Sequence, residues 1–249
     1  MTDNRSSKLL HFLFAMNSPK AIISWSGGKD ASFALWRVLQ EKQFEVAGLL
    51  TTISLPFDRI SMHGVRRSLL EKQAAATGFP LYTASVADKT NDAYEQEMLR
   101  VFGELKAQGV THIVFGDIFL EDLRAYREQL LAKAGLQGVY PLWKQNTKAL
   151  AEQFIAEGFR TVTCCVNDAS LDETWCGKSF DKKFLEELPA NADPCGENGE
   201  FHTFCYDGPV FQHPVAFEKG ELVYRPLELR SADYVTETKG FWYCELLEK

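Results

Sequence analysis

The chain has 249 residues, with 34 acidic against 27 basic side chains and a formal net charge of -7. A hydrophobic share of 45% and a charged share of 24% match an ordinary globular protein, which excludes disorder, collagen-like repeats and coiled coil and leaves one large domain or two unequal ones. The acidic balance argues against broad docking on nucleic acid, and no apolar run reaches the ~18 residues of a membrane helix, so a soluble protein is expected.

Residues 1–19 read as an N-terminal extension. Arg5 and Lys8 precede an apolar stretch that His11 interrupts, with no small-x-small cleavage site after it, so secretion is disfavoured and Met16 is a candidate natural start. From residue 21 onward, apolar runs bounded by turn residues alternate with helix-period segments. Residues 21–25 predict a buried strand, 30–42 a helix and 46–53 a second strand. A helix over 64–77 places Val65, Leu69 and Gln73 on one line, with Gly78 as its C-cap. Residues 81–86 predict the third strand, 92–108 a long helix, 112–115 the fourth strand, and 121–134 a helix ending at Gly135. A short fifth strand over 139–142 carries Pro141, which marks an edge or a terminus. Strands separated by helices of this length predict right-handed crossovers and a doubly wound, five-stranded parallel α/β sheet over residues 1–144.

After Trp143 the spacing predicts a helix over 147–157 and a strand over 161–166. Turn residues then concentrate between 189 and 199, and strands follow from Phe201, with the clearest alternation over 222–229. This is the pattern of a second, smaller α+β unit over 145–249, with an extension of the first sheet by residues 146–166 as the alternative. The six cysteines show no C-x-x-C spacing, and the adjacent Cys164 and Cys165 fall on a strand whose neighbouring side chains point to opposite faces. Reduced core thiols and a cytoplasmic setting are expected.

The segment Ile22-Ile23-Ser24-Trp25-Ser26-Gly27-Gly28-Lys29-Asp30 carries the most information. A strand runs into two glycines, a cation and a carboxylate before a helix, at a position where parallel sheets bind ligands. Gly27 and Gly28 can take φ > 0 and let an oxyanion approach the backbone, while the N–H groups at the helix start carry positive partial charge. Ser26 and Lys29 add a hydroxyl and a full charge. Asp30 facing phosphate calls for a divalent cation between them, which implies Mg²⁺. A Walker A loop would need glycine at Ile23 and Ser or Thr at Asp30, and a dinucleotide fingerprint would need glycine at Ala31; neither fits.

Two further constellations add polar groups. Asp117 ends the fourth strand and should face the same crevice, with Arg124 and Arg127 on the next helix. Arg66 and Arg67 sit where a helix dipole disfavours cations, so an anionic ligand would explain them, against the plainer reading of a solvated surface. The run Pro194-Cys195-Gly196-Glu197-Asn198-Gly199-Glu200-Phe201-His202-Thr203 is either a hairpin turn at Asn198-Gly199 or a site. In the second case a carboxylate or imidazole of near-neutral pKa would take a proton from an amine.

Ser26-Gly27-Gly28-Lys29-Asp30 resembles the PP-loop of the N-type ATP pyrophosphatases. The family motif usually continues with Ser, whereas this chain has Ala31 followed by Ser32, leaving Ser32 or water to supply the hydroxyl. The Gly196 to Thr203 run, the Gly116-Asp117-Ile118 stretch and Met62-His63-Gly64 together resemble the diphthine-ammonia ligase branch of that superfamily. The resemblance spans nearly all of the chain after Lys20. It implies an adenine nucleotide alpha hydrolase-like domain joined to a smaller one, and formation of an amide from a carboxylate and ammonium, with ATP converted to AMP and pyrophosphate. The expected ATP and pyrophosphate contacts are Ser26, Gly27, Gly28, Lys29, Asp30, Ser32 and Asp117, with Asp30 and Asp117 reaching the metal. Glu197, Glu200 and His202 are the candidates for orienting and deprotonating the amine. Arg66, Arg124, Arg127, Gly196, Asn198, Gly199 and Thr203 are the candidates for holding the substrate. His63 is a nucleotide-site residue or a helix cap. The partners implied are a small or protein-borne carboxylate and ammonium or an amine, without a membrane. Two rivals remain at this point: an adenine-nucleotide sensor without turnover, favoured by Ala31, and a PP-loop RNA thiolase, which would want a reactive cysteine by the loop.

Overall fold

Ala21, Ile22 and Ile23 of strand β1 (Lys20–Ser24) are fully buried, as expected of a strand covered on both faces. Ala21 and Ile23 point into one apolar core and Ile22 into another, because successive side chains on a strand alternate. The computed structural model describes residues 18–61, 63–87, 90–227 and 238–249. Met16 and most of the N-terminal extension, Met62 and the end of the alternating segment at 228–229 lie outside the described residues.

Around β1, strands β2 (Glu45–Ser54), β4 (Leu81–Val86), β5 (Val110–Val114) and β6 (Gln137–Val139) form a parallel sheet in the order β4-β2-β1-β5-β6. The chain moves outward from β1 through β2 to β4, then crosses back to β5, so the order reverses between β1 and β5. That reversal leaves a crevice at their carboxyl ends. Helices α3 (Asn91–Ala107) and α4 (Glu121–Ala134) cover the Ile22 face through Met98, Phe102, Leu105, Leu130 and Leu131. Helices α1 (Lys29–Glu41) and α2 (Arg67–Thr77) cover the other face through Phe33, Leu35, Leu69 and Leu70. The doubly wound five-stranded α/β expectation is therefore met.

Three local expectations change. A short β3 (Arg59–Ile60) pairs antiparallel with the end of β2, adding a sixth strand. The helix predicted from residue 64 starts at Arg67, because Gly64 takes φ 69 and Arg66 is extended in a bridge to Arg59. The fifth strand ends at Val139 rather than Leu142. The peptide after Tyr140 has no N–H to donate, because Pro141 follows, and the chain turns there.

The later residues build a second sheet that is wholly antiparallel, in the order β8-β7-β10-β9, from β7 (Arg160–Asn167), β8 (Phe201–Asp207), β9 (Phe217–Pro226) and β10 (Gly240–Glu248). Residues 160–167 thus belong to this sheet and do not extend the first one. Helix α5 (Thr147–Ala156) precedes β7, and α6 (Lys182–Glu187) lies between β7 and β8. Helix α1 sits between the two sheets. Its Phe33 meets Phe154 and Phe159 edge-on at 5.8 and 5.9 Å between ring centroids. Such a buried ring truncated to Ala costs about 3–5 kcal/mol, so this seam is a substantial part of the stability.

A crevice between the two sheets

At the end of β1 the chain turns through Ser26, Gly27 and Gly28 into α1. The two glycines serve different purposes. Gly27 has φ 78, and a Cβ there would stand 2.8 Å from Gln73 Oε1. Gly28 has φ -85, an ordinary value, and is glycine for room, because a Cβ would stand 2.8 Å from His63 Cε1. Only one of the pair uses the left-handed region that the sequence allowed to both.

The turn is fastened from three directions. The Lys29 N–H donates to Thr203 Oγ1 of β8 at 3.0 Å, and the Gly28 N–H reaches Ser26 Oγ at 3.3 Å. The Gly27 carbonyl accepts from the Cys205 N–H at 2.9 Å and from Gln73 Nε2 at 2.8 Å. Gln73 also donates to the Cys205 carbonyl and accepts from the Trp25 indole N–H at 2.9 Å. On the other flank, Gly116 after β5 packs directly on the start of α1. A Cβ at Gly116 would lie 2.7 Å from the Asp30 carbonyl carbon.

The crevice in front of this turn has a volume of about 640 Å³, within the range of small-molecule sites. Ser26, Lys29, Asp30, Asp117, Arg127, Gly196, Glu197, Asn198, Gly199, His202 and Thr203 all line it, so the structure brings together three segments that are far apart in sequence. The Lys29 side chain is 3% exposed and its Nζ lies 2.6 Å from Asp30 Oδ1, whose side chain keeps 35% exposure. Burial works against the Lys29 charge, but the Asp30 carboxylate outweighs it and holds the pKa above the ordinary lysine value. Asp117 faces Arg127 at 2.8 Å, and the Arg127 guanidinium lies 4.4 Å from the Phe115 ring centroid. Burial raises the Asp117 pKa, Arg127 opposes the rise and Asp30 adds to it, which places the two carboxylates within electrostatic reach. Among the described residues no cluster of three or more His, Cys, Asp or Glu side chains is arranged to hold a metal. Two carboxylates lining one crevice still fit Mg²⁺, which commonly takes one or two carboxylates and completes its shell with phosphate and water.

The turn before β8 and the start of that strand bring Glu197 and His202 to the crevice. Glu197 Oε1 accepts the N–H groups of Ile118 and Phe119 at 2.6 and 3.2 Å, clasping the loop that follows Asp117. Burial pushes its pKa up to about 7, and Asp30 adds to the rise against the pull of those amides. His202 and His63 lie with ring centroids 4.8 Å apart. Burial holds His202 down to about 3, helped by the neighbouring His63 and Lys29, and holds His63 at about 4. The group held near neutrality is therefore the carboxylate and not the imidazole. His202 Nε2 is buried without a hydrogen-bond partner among the described residues, and His63 Nδ1 lies 3.0 Å from the Thr203 carbonyl.

Six expected site residues do not line the crevice. Gly27 and Gly28 stand behind the Ser26 hydroxyl. Ser32 is fully buried and donates to the Gly28 carbonyl at 2.9 Å, so it is not placed to supply the hydroxyl missing at Ala31. Ala31 is the residue that faces the crevice. Glu200 is buried and accepts from the Asp193 N–H and from Asn198 Nδ2, both at 2.9 Å, which shapes the turn. Arg66 reaches Glu245 of β10 at 3.3 Å, and Arg67 pairs with Glu71 one helical turn away, so neighbouring carboxylates satisfy these cations. Arg124 lies against the rings of Tyr140 and Trp143 at 4.5 and 4.6 Å. Asn198-Gly199 is not a hairpin tip either, because no strand leads into it. Gly116 and Gln73 are residues that the sequence reading left without a role. A polar side chain on the apolar line of α2 was the available signal for Gln73.

A family profile described as Diphthamide synthase N-terminal domain matches residues 19–138, and one described as Diphthamide synthase C-terminal domain matches residues 146–228. The diphthine–ammonia ligase of Homo sapiens is 28% identical over 199 residues, which cover 78% of this chain and 68% of that protein. The Danio rerio protein of the same name is 26% identical over 225 residues, covering 80% and 86%. The Bos taurus protein is 28% identical over 162 residues, so that 63% of this chain matches 59% of that protein's length.

Proposed function

Because the chain belongs to the diphthine-ammonia ligase-like branch of the PP-loop ATP pyrophosphatases, we propose that it is an ATP-dependent carbon–nitrogen ligase that joins ammonia to a substrate carboxylate and forms AMP and pyrophosphate. The observation that carries this reading is the convergence of the glycine turn, Asp117 and the Glu197–His202 segment on one crevice. The relatives' name points to diphthine as the carboxylate. We take the two units to meet near residue 145, with the second supplying the amine side of the site.

In this reading Ser26, Lys29 and Arg127 hold the β- and γ-phosphates. The substrate carboxylate attacks the α-phosphorus and pyrophosphate leaves, giving an acyl-adenylate that ammonia converts to the amide. Asp30 and Asp117 would hold Mg²⁺, which neutralises phosphate charge when bound. Both carboxylates face cations of the protein, so with Mg²⁺ on Asp30 and Asp117 the Lys29 and Arg127 charges would be available to phosphate oxygens. Glu197 accepts the proton of ammonium, and His202 Nε2 accepts a hydrogen bond from the amine, which a neutral imidazole can do. The six cysteines are free and buried, in keeping with a reducing, cytoplasmic setting. No helix among the described residues is long and apolar enough to cross a membrane. Cys195 lies beside Lys29, but burial pushes its thiol up to about 12, which speaks against sulfur transfer.

AMP and pyrophosphate release from MgATP, measured with ammonium and a panel of carboxylates that includes a diphthine-bearing protein, tests the proposal. Steady release that requires both co-substrates is expected. Stoichiometric ATP binding with no AMP would instead identify the sensor, whose one specific support is Ala31. Asp30→Asn is expected to abolish AMP formation while the protein still unfolds cooperatively, and normal turnover by that variant would reject the metal assignment. Asn is the informative replacement. Asp30→Ala strips the buried Lys29 ammonium of its partner at a cost of about 2 kcal/mol, below the ~3–5 kcal/mol of a fully buried pair because Asp30 is partly exposed.

A further inference from the structure

Gln73 is fully buried, on the face of α2 that also carries Leu69 and Leu70. Its amide makes three hydrogen bonds, and their sense is determined. The Trp25 indole N–H can only donate, so it faces Oε1; the carbonyls of Gly27 and Cys205 can only accept, so they face Nε2. Turning the amide over would lose all three bonds.

We infer that the Gln73 amide, oriented by the Trp25 indole, is a positioning residue that aims the glycine turn's backbone donor at the crevice and so sets the affinity for the phosphates of ATP. The inference rests on the reading of that turn as a pyrophosphate cradle. In a planar trans peptide the C=O and the following N–H point in opposite directions. Gln73 and the Cys205 N–H hold the Gly27 carbonyl on one side, which turns the Gly28 N–H to the other. There its partner among the described residues is Ser26 Oγ, at 3.3 Å, and Ser26 lines the crevice. That bond is long, so the donor can be surrendered to a phosphate oxygen at little cost. The φ of 78 at Gly27 and the 2.8 Å left between its missing Cβ and Gln73 Oε1 show the turn and the amide fitted to each other. Without the amide, the Gly27–Gly28 peptide is free to rotate and the donor loses its aim.

Gln73→Met keeps the side-chain length and removes both the donors and the acceptor. Calorimetric titration of the full chain with inorganic pyrophosphate and with MgATP is expected to show both affinities weakened about tenfold, with thermal unfolding still cooperative. The KM for ATP should rise by more than kcat for AMP formation falls, a split that a general loss of packing would not produce. Trp25→Phe should weaken both probes by less. The double variant should be no weaker than Gln73→Met alone, since the indole acts through the amide. A folded Gln73→Met that binds pyrophosphate within twofold of the native chain overturns the inference, as does a double variant whose loss is the sum of the single losses. If Gln73→Met does not fold, Trp25→Phe decides, and native pyrophosphate affinity in that variant rejects the proposal. Native protein that binds neither probe defeats the phosphate reading of the turn itself, a result distinct from either of these.

Discussion

Glu197 shows how one side chain serves two ends. Its Oε1 clasps the loop after Asp117 through two amides, while burial brings its pKa to about 7. Only the ionised carboxylate can take a proton, so the rate of amide formation at fixed ammonium concentration is expected to rise with pH through about 7. Glu197→Gln should keep part of the loop contact and flatten that rise, and a wild-type inflection that survives in the variant would reject Glu197 as the base. No histidine inflection near 6.5 is expected from His63 or His202, which burial keeps neutral down to about 4 and about 3. The same shift has a stability consequence. With the folded pKa above the unfolded one, Glu197 favours the fold most at acid pH, and that contribution is lost as pH rises through about 7. The sequence pointed to this turn and to both candidate groups, but assigned near-neutral titration to either. Burial, a property of the assembled crevice, brings the carboxylate near neutrality and keeps both imidazoles well below it.

Helix α1 shows the same division at the level of an element. Its start was legible because a strand, two glycines and an apolar periodicity adjoin, and its end at Glu41 lies within one residue of the expected boundary. The C-caps at Gly78 and Gly135 were legible too, and both adopt the left-handed conformation that favours glycine there. What could not be read was the N-cap. Gly28 has no side chain to cap with, and the oxygen that takes the Lys29 N–H comes from Thr203, 174 residues later, on the other sheet. Thr203→Val is expected to cost about 1 kcal/mol, read as a lower denaturant midpoint, with Thr203→Ser close to native. Equal stability of the Val and Ser variants would show that the cap contributes nothing.

For the molecule as a whole, one apolar core runs from Ile23 and Phe33 through Phe154 and Phe159 to Val162, Phe201 and Phe204, so the two sheets share it. Polar ties follow the same seam, with Thr203, Cys205 and Gln73 all fastened to the glycine turn or its neighbours. Differential scanning calorimetry should therefore show a single unfolding transition, raised by MgATP through preferential binding to the folded state. Two resolved transitions would mean that the sheets fold as separate units.

By itself the sequence determined the alternation of strands and helices, the doubly wound parallel sheet and the glycine turn at its reversal point, because these rest on periodicity and on local backbone freedom. Its three polar segments also named most of the residues that face the crevice. Only the tertiary structure decided that Ser32 turns inward, that Arg66 pairs with Glu245 and that Gln73 fastens the turn. It also decided that Glu197 titrates near neutrality while its histidine neighbours do not. Each of those outcomes depends on which distant groups share a dry interior, and neither desolvation nor a hydrogen bond across 46 or 174 residues leaves a mark in local sequence.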